Sequence, residues 1–433
     1  MRGCPAFTSI HETTETIDGN AGFYLTTEHS REMPQFVAET AMPRFVLLVS
    51  CVATVVPQLF STAHAQNPLG RTPEERAKFL RRFDADGNGR LSEMEWQKMR
   101  EAVAPRRSSR AENEPQTNYK PNKNLYHVEP GPYAVESVND LTLDDETQNK
   151  KLPIRVTYPK AEGRFPVIVF SHGMGGSKDG YAPLVQHWTS HGYVCIQPTH
   201  GDSLSLKTID ELAQIRSVAG FLNDPRALSQ WRTRPLDIRR ILDGLEEIER
   251  RVPALKDKID REKVGMAGHS FGASTTQAVA GLSYKMLFGK RLSLDDPRPV
   301  AFVMISPQGT GRTRDADSFK PITRPSLFIT GTRDKSPRNG KSYQWRREAF
   351  DHAPAGKKYL LVIDDAYHGF GGIAGEARYA GSGPQRADQL QCVQSTTLAF
   401  WDAHLKSDGS AANFLTPDSI SKATEGQATL SRE

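Results

Sequence analysis

Cysteine is scarce in this chain of 433 residues, which has four, and only Cys195 and Cys392 lie beyond residue 65. A disulfide-stapled domain or a zinc site of paired cysteines is therefore excluded as the organising feature of the chain. Cys195 lies in an apolar stretch typical of a buried thiol, and the sequence leaves open whether it pairs with Cys392.

The chain also lacks a strong excess of charge, since 56 Lys and Arg are set against 51 Asp and Glu for a net charge of +5. The basic residues are scattered, so we predict no nucleic-acid partner. Long apolar runs are absent except for 45–60, which follows Arg44 and precedes Ala63-His64-Ala65. A basic start, a short apolar centre and small residues at the end are typical of a secretory signal peptide.

We therefore predict a signal at 42–65, cleaved after Ala65, and a secreted or periplasmic protein with no stable membrane span. Residues 1–41 show no core-like periodicity and are interpreted as a start assigned too early or a disordered extension. The stretch ending at Cys51 resembles a lipoprotein cleavage box, but its apolar run is short, so this is the less favoured alternative.

Residues 66–104 contain an acidic loop that matches the EF-hand pattern at each diagnostic position. Calcium takes six to eight oxygen ligands. The predicted ligands are Asp84, Asp86, Asn88, Arg90 through its backbone carbonyl, Ser92 and Glu95. Thr72-Pro73-Glu74-Glu75 predicts a capped helix before the loop, and a second helix is expected at 93–102. We find one such loop, and it resembles the solitary EF-hands of exported bacterial proteins, which suggests a structural or docking role.

A polar segment at 105–127 is predicted to be a disordered linker, so calcium is expected to bind without taking part in catalysis. Strands then alternate with helices from 128 to 406, which indicates an α/β fold with a mostly parallel sheet covered on both faces. The stretch 201–234 is a candidate lid or a structural insertion. The tail at 407–433 is polar and is predicted to be disordered.

An apolar run from Val264 breaks into Gly268-His269-Ser270-Phe271-Gly272 and then into a helix of small residues. This is the pattern of a nucleophile elbow, in which a tight turn after a strand presents the Ser270 hydroxyl above the sheet. A glycine-rich loop, 172–176, follows another buried strand. Acyl transfer needs two backbone donors for the developing oxyanion, and the N–H groups of Met174 and Phe271 are the candidates.

A serine needs a general base, and the base needs a carboxylate that orients it. Asp334 and His368 follow predicted strands in the expected chain order after Ser270. Other histidines are less suitable because they lie in the oxyanion loop, too early in the chain, inside the elbow or on predicted helices: His172, His200, His269, His352 and His404. The competing acids are Asp315, Asp317, Asp364 and Asp365.

With these motifs, 128–405 resembles the α/β-hydrolase superfamily, and within it the platelet-activating-factor acetylhydrolases and predicted dienelactone hydrolases. The resemblance is carried by Val169-Phe-Ser-His-Gly-Met-Gly-Gly, Ser190-His-Gly-Tyr-Val, Thr233-Arg-Pro-Leu-Asp-Ile and the elbow. It implies a cofactor-free serine esterase with oxyanion donors at Met174 and Phe271. Two features depart from the pattern. The acetylhydrolases place their acid after the strand that follows the elbow, where this chain has no Asp, and dienelactone hydrolases use a cysteine where this chain has Ser270.

The sequence thus predicts an exported serine hydrolase that cleaves carboxylic esters of small molecules, lipids or polyesters, with no cofactor for catalysis. Lipase, phospholipid acetylhydrolase or peptidase activity of the same residues stays open. A different class of function is a catalytically inactive hydrolase fold that acts as a calcium-dependent binding protein.

Overall fold

The computed structural model describes residues 72–103, 121–375 and 381–433. The predicted signal at 42–65, the first 41 residues and most of the predicted linker lie outside the described residues. Within the described part of the chain, no helix is both long and apolar enough to cross a membrane.

The described residues form helices and strands in the order of a hydrolase-like α/β fold. The helices are α1 Pro73–Leu80, α2 Glu93–Val103, α3 Ala182–Ser190, α4 Ile209–Gln214, α5 Val218–Leu222, α6 Pro225–Asp243, α7 Leu245–Arg251, α8 Phe271–Val279, α9 Tyr343–His352, α10 Ala387–Leu405, α11 Gly409–Phe414 and α12 Pro417–Ala423. The strands are β1 Val135–Asp145, β2 Lys150–Pro159, β3 Phe165–Ser171, β4 Val194–Pro198, β5 Ile259–His269, β6 Ser283–Lys285, β7 Arg291–Ser293, β8 Pro299–Ile305, β9 Ser326–Gly331, β10 Lys358–Ile363 and β11 Ala428–Arg432.

Nine strands form one sheet in the order β1-β2-β4-β3-β5-β8-β9-β10-β11. The six strands from β4 to β10 are parallel, whereas β1, β2 and β11 pair antiparallel at the two ends. The central strands are buried on both faces because helices cover both. Alternate residues of β3 show this directly: Val167 and Val169 face one apolar core, and Ile168 and Phe170 face the other. This architecture confirms the predicted α/β class and fits an α/β-hydrolase fold.

The predicted disordered tail is wrong. Residues 409–432 form α11, α12 and β11, and β11 pairs with β10 at the end of the sheet. The side chains of Asp408 and Thr416 cap the two helices, and Leu415, Ile420 and Leu430 are buried. The tail has few apolar residues, but these lie on the faces that contact the sheet and α10. Its polar composition was therefore a misleading sign of disorder.

The predicted linker also extends too far, to residue 127. The side-chain amide of Asn122 donates a hydrogen bond to the Ala423 carbonyl (2.8 Å), and Leu125 is buried. Residues 121–127 therefore belong to the packed domain rather than to a disordered segment.

The stretch 201–234 contains α4, α5 and the beginning of α6, where the sequence indicated no clear element. α6 begins within this stretch at Pro225, and Gly244 separates it from α7. Pro225 at the first helical position and the Asp224 side chain, which accepts the Arg226 N–H, start α6.

Residues 72–103 form a helix–loop–helix that packs on this insertion. Thr72 and Glu75 form the predicted capping box at the start of α1. One apolar cluster contains side chains from both parts of the chain: Ala77, Leu80, Leu91, Trp96, Met99, Ile209, Leu212 and Ala213. Arg76 adds a hydrogen bond to the Ala213 carbonyl (2.7 Å). The helix–loop–helix is therefore part of the packed protein, because the insertion buries its apolar face.

Candidate active site

Ser270 lies at the tight turn between β5 and α8, in a backbone conformation with φ 58° and ψ −112°. Such a conformation is costly for a residue with a side chain and persists only where its surroundings fix it. A Cβ on Gly268 would lie 2.3 Å from the Gly272 carbonyl oxygen, and one on Gly272 would lie 1.9 Å from the Ser171 carbonyl oxygen. Both glycines are thus required for β5, α8 and β3 to approach this closely.

The structure brings Ser270, His368 and Asp334 together at the carboxyl edge of the sheet. His368 Nε2 lies 2.9 Å from Ser270 Oγ, and His368 Nδ1 lies 2.7 Å from Asp334 Oδ1. Asp334 follows β9 and His368 follows β10, so neighbouring parallel strands deliver both side chains to one place. In this arrangement the serine hydroxyl donates to a neutral imidazole whose other nitrogen donates to the carboxylate.

The surroundings of Asp334 and His368 keep the carboxyl ionised and the imidazole neutral. Burial alone would raise the pKa of the Asp334 carboxyl, but the positive charges of Arg346 and His368, with hydrogen bonds from His368 and Ser306, outweigh it and hold that pKa at about 2. Burial lowers the pKa of His368, and the opposing effect of Asp334 does not restore it to its ordinary value. The imidazole is therefore neutral near pH 7 and able to accept a proton.

Two residues that the sequence analysis did not assign complete the surroundings of Asp334. The Ser306 hydroxyl donates to Asp334 Oδ2, and Arg346 Nε lies 2.9 Å from the same oxygen. Ser306 stands at the end of β8, in the loop where the acetylhydrolase resemblance led us to look for an Asp. Its place after β8 could therefore have identified Ser306 as a residue near the base. Arg346 lies on the amphipathic helix α9, and nothing in its sequence distinguishes it from a solvated arginine.

The loop with Met174 lies against the elbow, as expected for an oxyanion loop. A Cβ on Gly173 would lie 3.6 Å from His269 Nδ1, so the loop and the turn are in close contact. The loop backbone is fixed on both sides of Met174: the Gly173 N–H donates to the Tyr181 hydroxyl (3.1 Å) and the Gly175 N–H to Asp202 Oδ2 (3.0 Å). Phe271, the other candidate donor, is the first residue of α8, where a backbone N–H has no partner inside the helix.

A buried arginine contacts both the loop that contains Met174 and the side chain of Phe271. Arg234 is fully buried and forms a two-point ion pair with Asp202, with both N–O distances at 2.8 Å. Its guanidinium donates to the His172 carbonyl (2.6 Å) and lies 4.4 Å from the centroid of the Phe271 ring. The role of Arg234 could not be predicted from the sequence, because a buried ion pair has no local sequence signature.

A second Ser-His-Asp set lies behind the loop. His200 Nε2 is 2.9 Å from Ser171 Oγ, and His200 Nδ1 is 2.8 Å from Asp237 Oδ2. All three side chains are fully buried, so no substrate reaches Ser171. This set fixes the end of β3 and is not a second nucleophile. His269 is likewise structural, since its ring nitrogens contact the Tyr181 hydroxyl and the His368 carbonyl (both 2.9 Å).

The acidic loop gathers three of its predicted ligands. Carboxylate oxygens of Asp84, Asp86 and Glu95 lie within 4.8 Å of one another. Asp84 Oδ1 is buried and has no hydrogen-bond partner among the residues that the structure describes, which is costly unless a cation occupies the loop. Asn88 and Ser92 instead bond within the loop, Asn88 to Asp86 and Ser92 to Glu95. Arg90 forms an isolated antiparallel bridge with Thr208 of the insertion. The oxygen-only donor set fits a hard cation such as Ca²⁺.

The chlorophyllase family model matches residues 125–295. Platelet-activating factor acetylhydrolase of Cavia porcellus is 26% identical over 243 residues, which cover 51% of this chain and 51% of that protein. Chlorophyllase-1, chloroplastic, of Citrus sinensis is 26% identical over 187 residues, covering 43% and 46%. Chlorophyllase-2 of Arabidopsis thaliana is 22% identical over 310 residues, covering 62% and 86%.

The chain thus spans about half the length of the acetylhydrolase that it matches. Fold, site geometry and relatives together support the class of α/β-hydrolase-type ester hydrolases. They bear out the acetylhydrolase part of the predicted resemblance, and the dienelactone hydrolase part stays a prediction.

Proposed function

We propose that this chain is a serine hydrolase of carboxylic esters that works through an acyl-enzyme. The observation that carries the proposal is the line of contacts from Ser270 Oγ to His368 (2.9 Å) and on to Asp334 (2.7 Å), on a strained turn at the carboxyl edge of the sheet. The nucleophile, the base and the carboxylate that orients it thereby stand in hydrogen-bond contact, as acyl transfer requires.

In the proposed mechanism Ser270 Oγ attacks the ester carbonyl while His368 Nε2 takes the hydroxyl proton. The N–H groups of Met174 and Phe271 stabilise the oxyanion of the tetrahedral intermediate. His368 then returns the proton to the departing alcohol, and the acyl group remains on Ser270. Water attacks this ester with His368 again as base, which releases the acid and restores the serine. Catalysis uses no cofactor.

Lipid esters are the substrate class that we favour, with small-molecule esters and polyesters as alternatives. The support is that the relatives include platelet-activating factor acetylhydrolases, chlorophyllases and a putative phospholipase A2. Peptidase activity would use the same side chains, and assays with peptide and ester substrates side by side would separate the two activities.

A fluorophosphonate probe, which reacts with an activated serine, tests the proposal. We expect strong labelling and turnover of short p-nitrophenyl esters, both lost in Ser270→Ala and His368→Ala. Ser171→Ala is the matched control, because Ser171 belongs to the other Ser-His-Asp set and should leave labelling in place. Wild-type turnover in Ser270→Ala would overturn the mechanism. Absence of labelling in the wild-type protein would favour the calcium-dependent binding protein instead.

We also propose that the loop at 84–95 binds Ca²⁺ and fastens the helix–loop–helix to the insertion. The support is the oxygen donor set and the buried Asp84 Oδ1, for which the described part of the chain supplies no hydrogen-bond partner. Calorimetric titration with Ca²⁺ tests this directly. Glu95→Gln should weaken binding at least tenfold because it removes a carboxylate charge from the loop. Glu74→Gln, in the exposed first turn of α1, should leave binding unchanged.

Export through the signal at 42–65 is likewise a proposal, and it rests on the sequence pattern alone. Amino-terminal sequencing of the protein recovered outside the cytoplasm tests it, with Gln66 as the expected first residue. An acylated amino terminus at Cys51 would show a lipoprotein instead.

A further inference from the structure

A short hairpin carries the two most exposed large hydrophobic side chains among the described residues. The strands β6 and β7 pair antiparallel, and Leu287 and Phe288 lie at the turn between them, 79% and 96% exposed. Burying side chains of this size in an apolar medium is strongly favourable, so two adjacent ones held in solvent call for an apolar partner.

The backbone of the hairpin holds this tip away from the body of the protein. The Met286 N–H donates to the Lys290 carbonyl (2.8 Å), which closes the turn. Phe288 adopts a left-handed conformation (φ 58°, ψ 31°), and Gly289 follows at φ 72°. A left-handed phenylalanine is disfavoured by itself. The hairpin therefore presents this side chain outward at a conformational cost.

Basic residues surround the tip. Lys285 and Lys290 are exposed, and within the part of the chain that the structure describes neither forms an ion pair. The acidic groups near the hairpin are already engaged: Asp315 contacts Arg291 at 2.8 Å, and Asp317 contacts Lys320 at 2.6 Å. An apolar tip flanked by lysines without ion pairs in the described residues complements a lipid layer, whose acyl chains lie beneath anionic head groups.

The base of the hairpin packs on α6, the helix that carries Arg234. The Tyr284 ring packs on Trp231 of α6, with centroids 4.4 Å apart. One turn further along α6, Arg234 bonds to the His172 carbonyl of the oxyanion loop and stacks on Phe271, next to Ser270. Two side-chain contacts thus connect the hairpin to the residue that follows the nucleophile.

We propose that the Leu287–Phe288 tip inserts into anionic lipid surfaces, with Lys285 and Lys290 against the head groups. Adsorption would hold the carboxyl edge of the sheet near esters that reside in the lipid layer. The adsorption stands on the hairpin alone, whereas its use in catalysis rests on the proposed ester hydrolase function.

Co-sedimentation with vesicles tests the proposal, using the full chain after residue 65. One set of vesicles is phosphatidylcholine, and the other contains equal parts of phosphatidylcholine and phosphatidylglycerol. We expect binding to the anionic set that weakens as salt is added. The double change Leu287→Ser and Phe288→Ser should lower the partition coefficient about tenfold or more. Lys285→Gln with Lys290→Gln should weaken binding to anionic vesicles only.

Met94→Ser is the matched control, because Met94 is 73% exposed on α2, in the helix–loop–helix rather than the hairpin, and should leave binding unchanged. Absence of wild-type binding, or equal binding by the tip variant, would overturn the proposal. A lipid-free dimer that the tip variant lacks, seen by ultracentrifugation, would assign the tip to self-association and overturn it as well.

Two measurements separate this proposal from the proposed activity. The tip variant should hydrolyse dissolved p-nitrophenyl acetate at the wild-type rate, which also shows that it is folded. Ser270→Ala should bind vesicles like the wild-type protein. A wild-type protein that binds vesicles but hydrolyses no ester would refute the activity and leave the adsorption standing.

Discussion

The backbone N–H of Ile209 donates a hydrogen bond of 2.8 Å to the carbonyl oxygen of Gly89. This bond joins the acidic loop to the first residue of α4, and the start of the same insertion contacts the oxyanion loop. There, the Leu204 N–H donates to the Gly175 carbonyl (3.1 Å). Order in the acidic loop is therefore linked to order in the insertion.

Removing calcium should loosen the insertion as well as the loop. Without the cation the carboxylates of Asp84, Asp86 and Glu95 repel one another, and the bridge from Arg90 to Thr208 weakens. We expect faster amide hydrogen exchange after chelation in both α1–α2 and α4, with β3 and β5 unchanged. If calorimetry shows bound calcium but exchange in α4 is insensitive to chelation, the linkage is refuted.

The parts of the fold that could be predicted are those with a local signature. β3, β8, β9 and the part of β5 from Val264 onward are mostly apolar because both of their faces are buried, and the two glycines of the elbow identify the nucleophile turn. Asp334 and His368 could be proposed because parallel strands deliver successive loops to one edge. The packing of α1 on α4 could not be predicted, since Leu80 and Leu212 lie in one apolar cluster although about 130 residues separate them and no sequence pattern pairs them.

Arg346 should set the acidic limit of activity. Its guanidinium lies 3.3 Å from His368 Nδ1 and lowers the pKa of that histidine. Removing the positive charge makes protonation of His368 easier, so its pKa rises. Arg346→Met should therefore shift the acidic limb of the kcat/KM profile to higher pH, and Arg346→Lys should restore part of the shift. Arg347→Met is the control, because this neighbour pairs with Asp351 at the surface. An unmoved acidic limb in Arg346→Met would contradict the assignment.

Arg234 should act on kcat through the oxyanion hole. The residue holds the His172 carbonyl on one side and the Phe271 ring on the other, so its loss displaces both candidate donors. Arg234→Met should lower kcat by about 10²-fold with a smaller change in KM, as loss of an oxyanion donor does. It also leaves Asp202 unpaired in the interior, at a cost of about 3–5 kcal/mol in stability.

A comparison with Arg324 separates these two effects of Arg234. Arg324 lies over the Phe302 ring at 4.7 Å, in a similar arrangement away from Ser270. Arg324→Met should lower the unfolding temperature and leave kcat near the wild-type value. Equal losses of kcat in the two variants would mean that Arg234 has only a structural role.

Acid should destabilise the protein through His187. Burial lowers the pKa of His187 from 6.5 to about 3, and its buried Nε2 atom has no hydrogen-bond partner within the described ranges. In the unfolded chain the same side chain takes up a proton near pH 6.5, so between about pH 6.5 and pH 3 the unfolded state binds more protons than the folded one. The free energy of unfolding therefore suffers no loss from His187 above pH 6.5, and it falls as the pH is lowered from 6.5 towards 3. At pH 4 the contribution of His187 to this loss is on the order of 3 kcal/mol.

Thermal unfolding of His187→Leu and wild type across this pH range measures the effect. The variant should lose less stability than the wild-type protein between pH 7 and pH 4, whatever its stability at pH 7, because it has one proton fewer to take up on unfolding. His352→Leu, on α9 and less buried, is the control for the change of residue type. Parallel pH profiles for wild type and His187→Leu would show that His187 is not the group responsible.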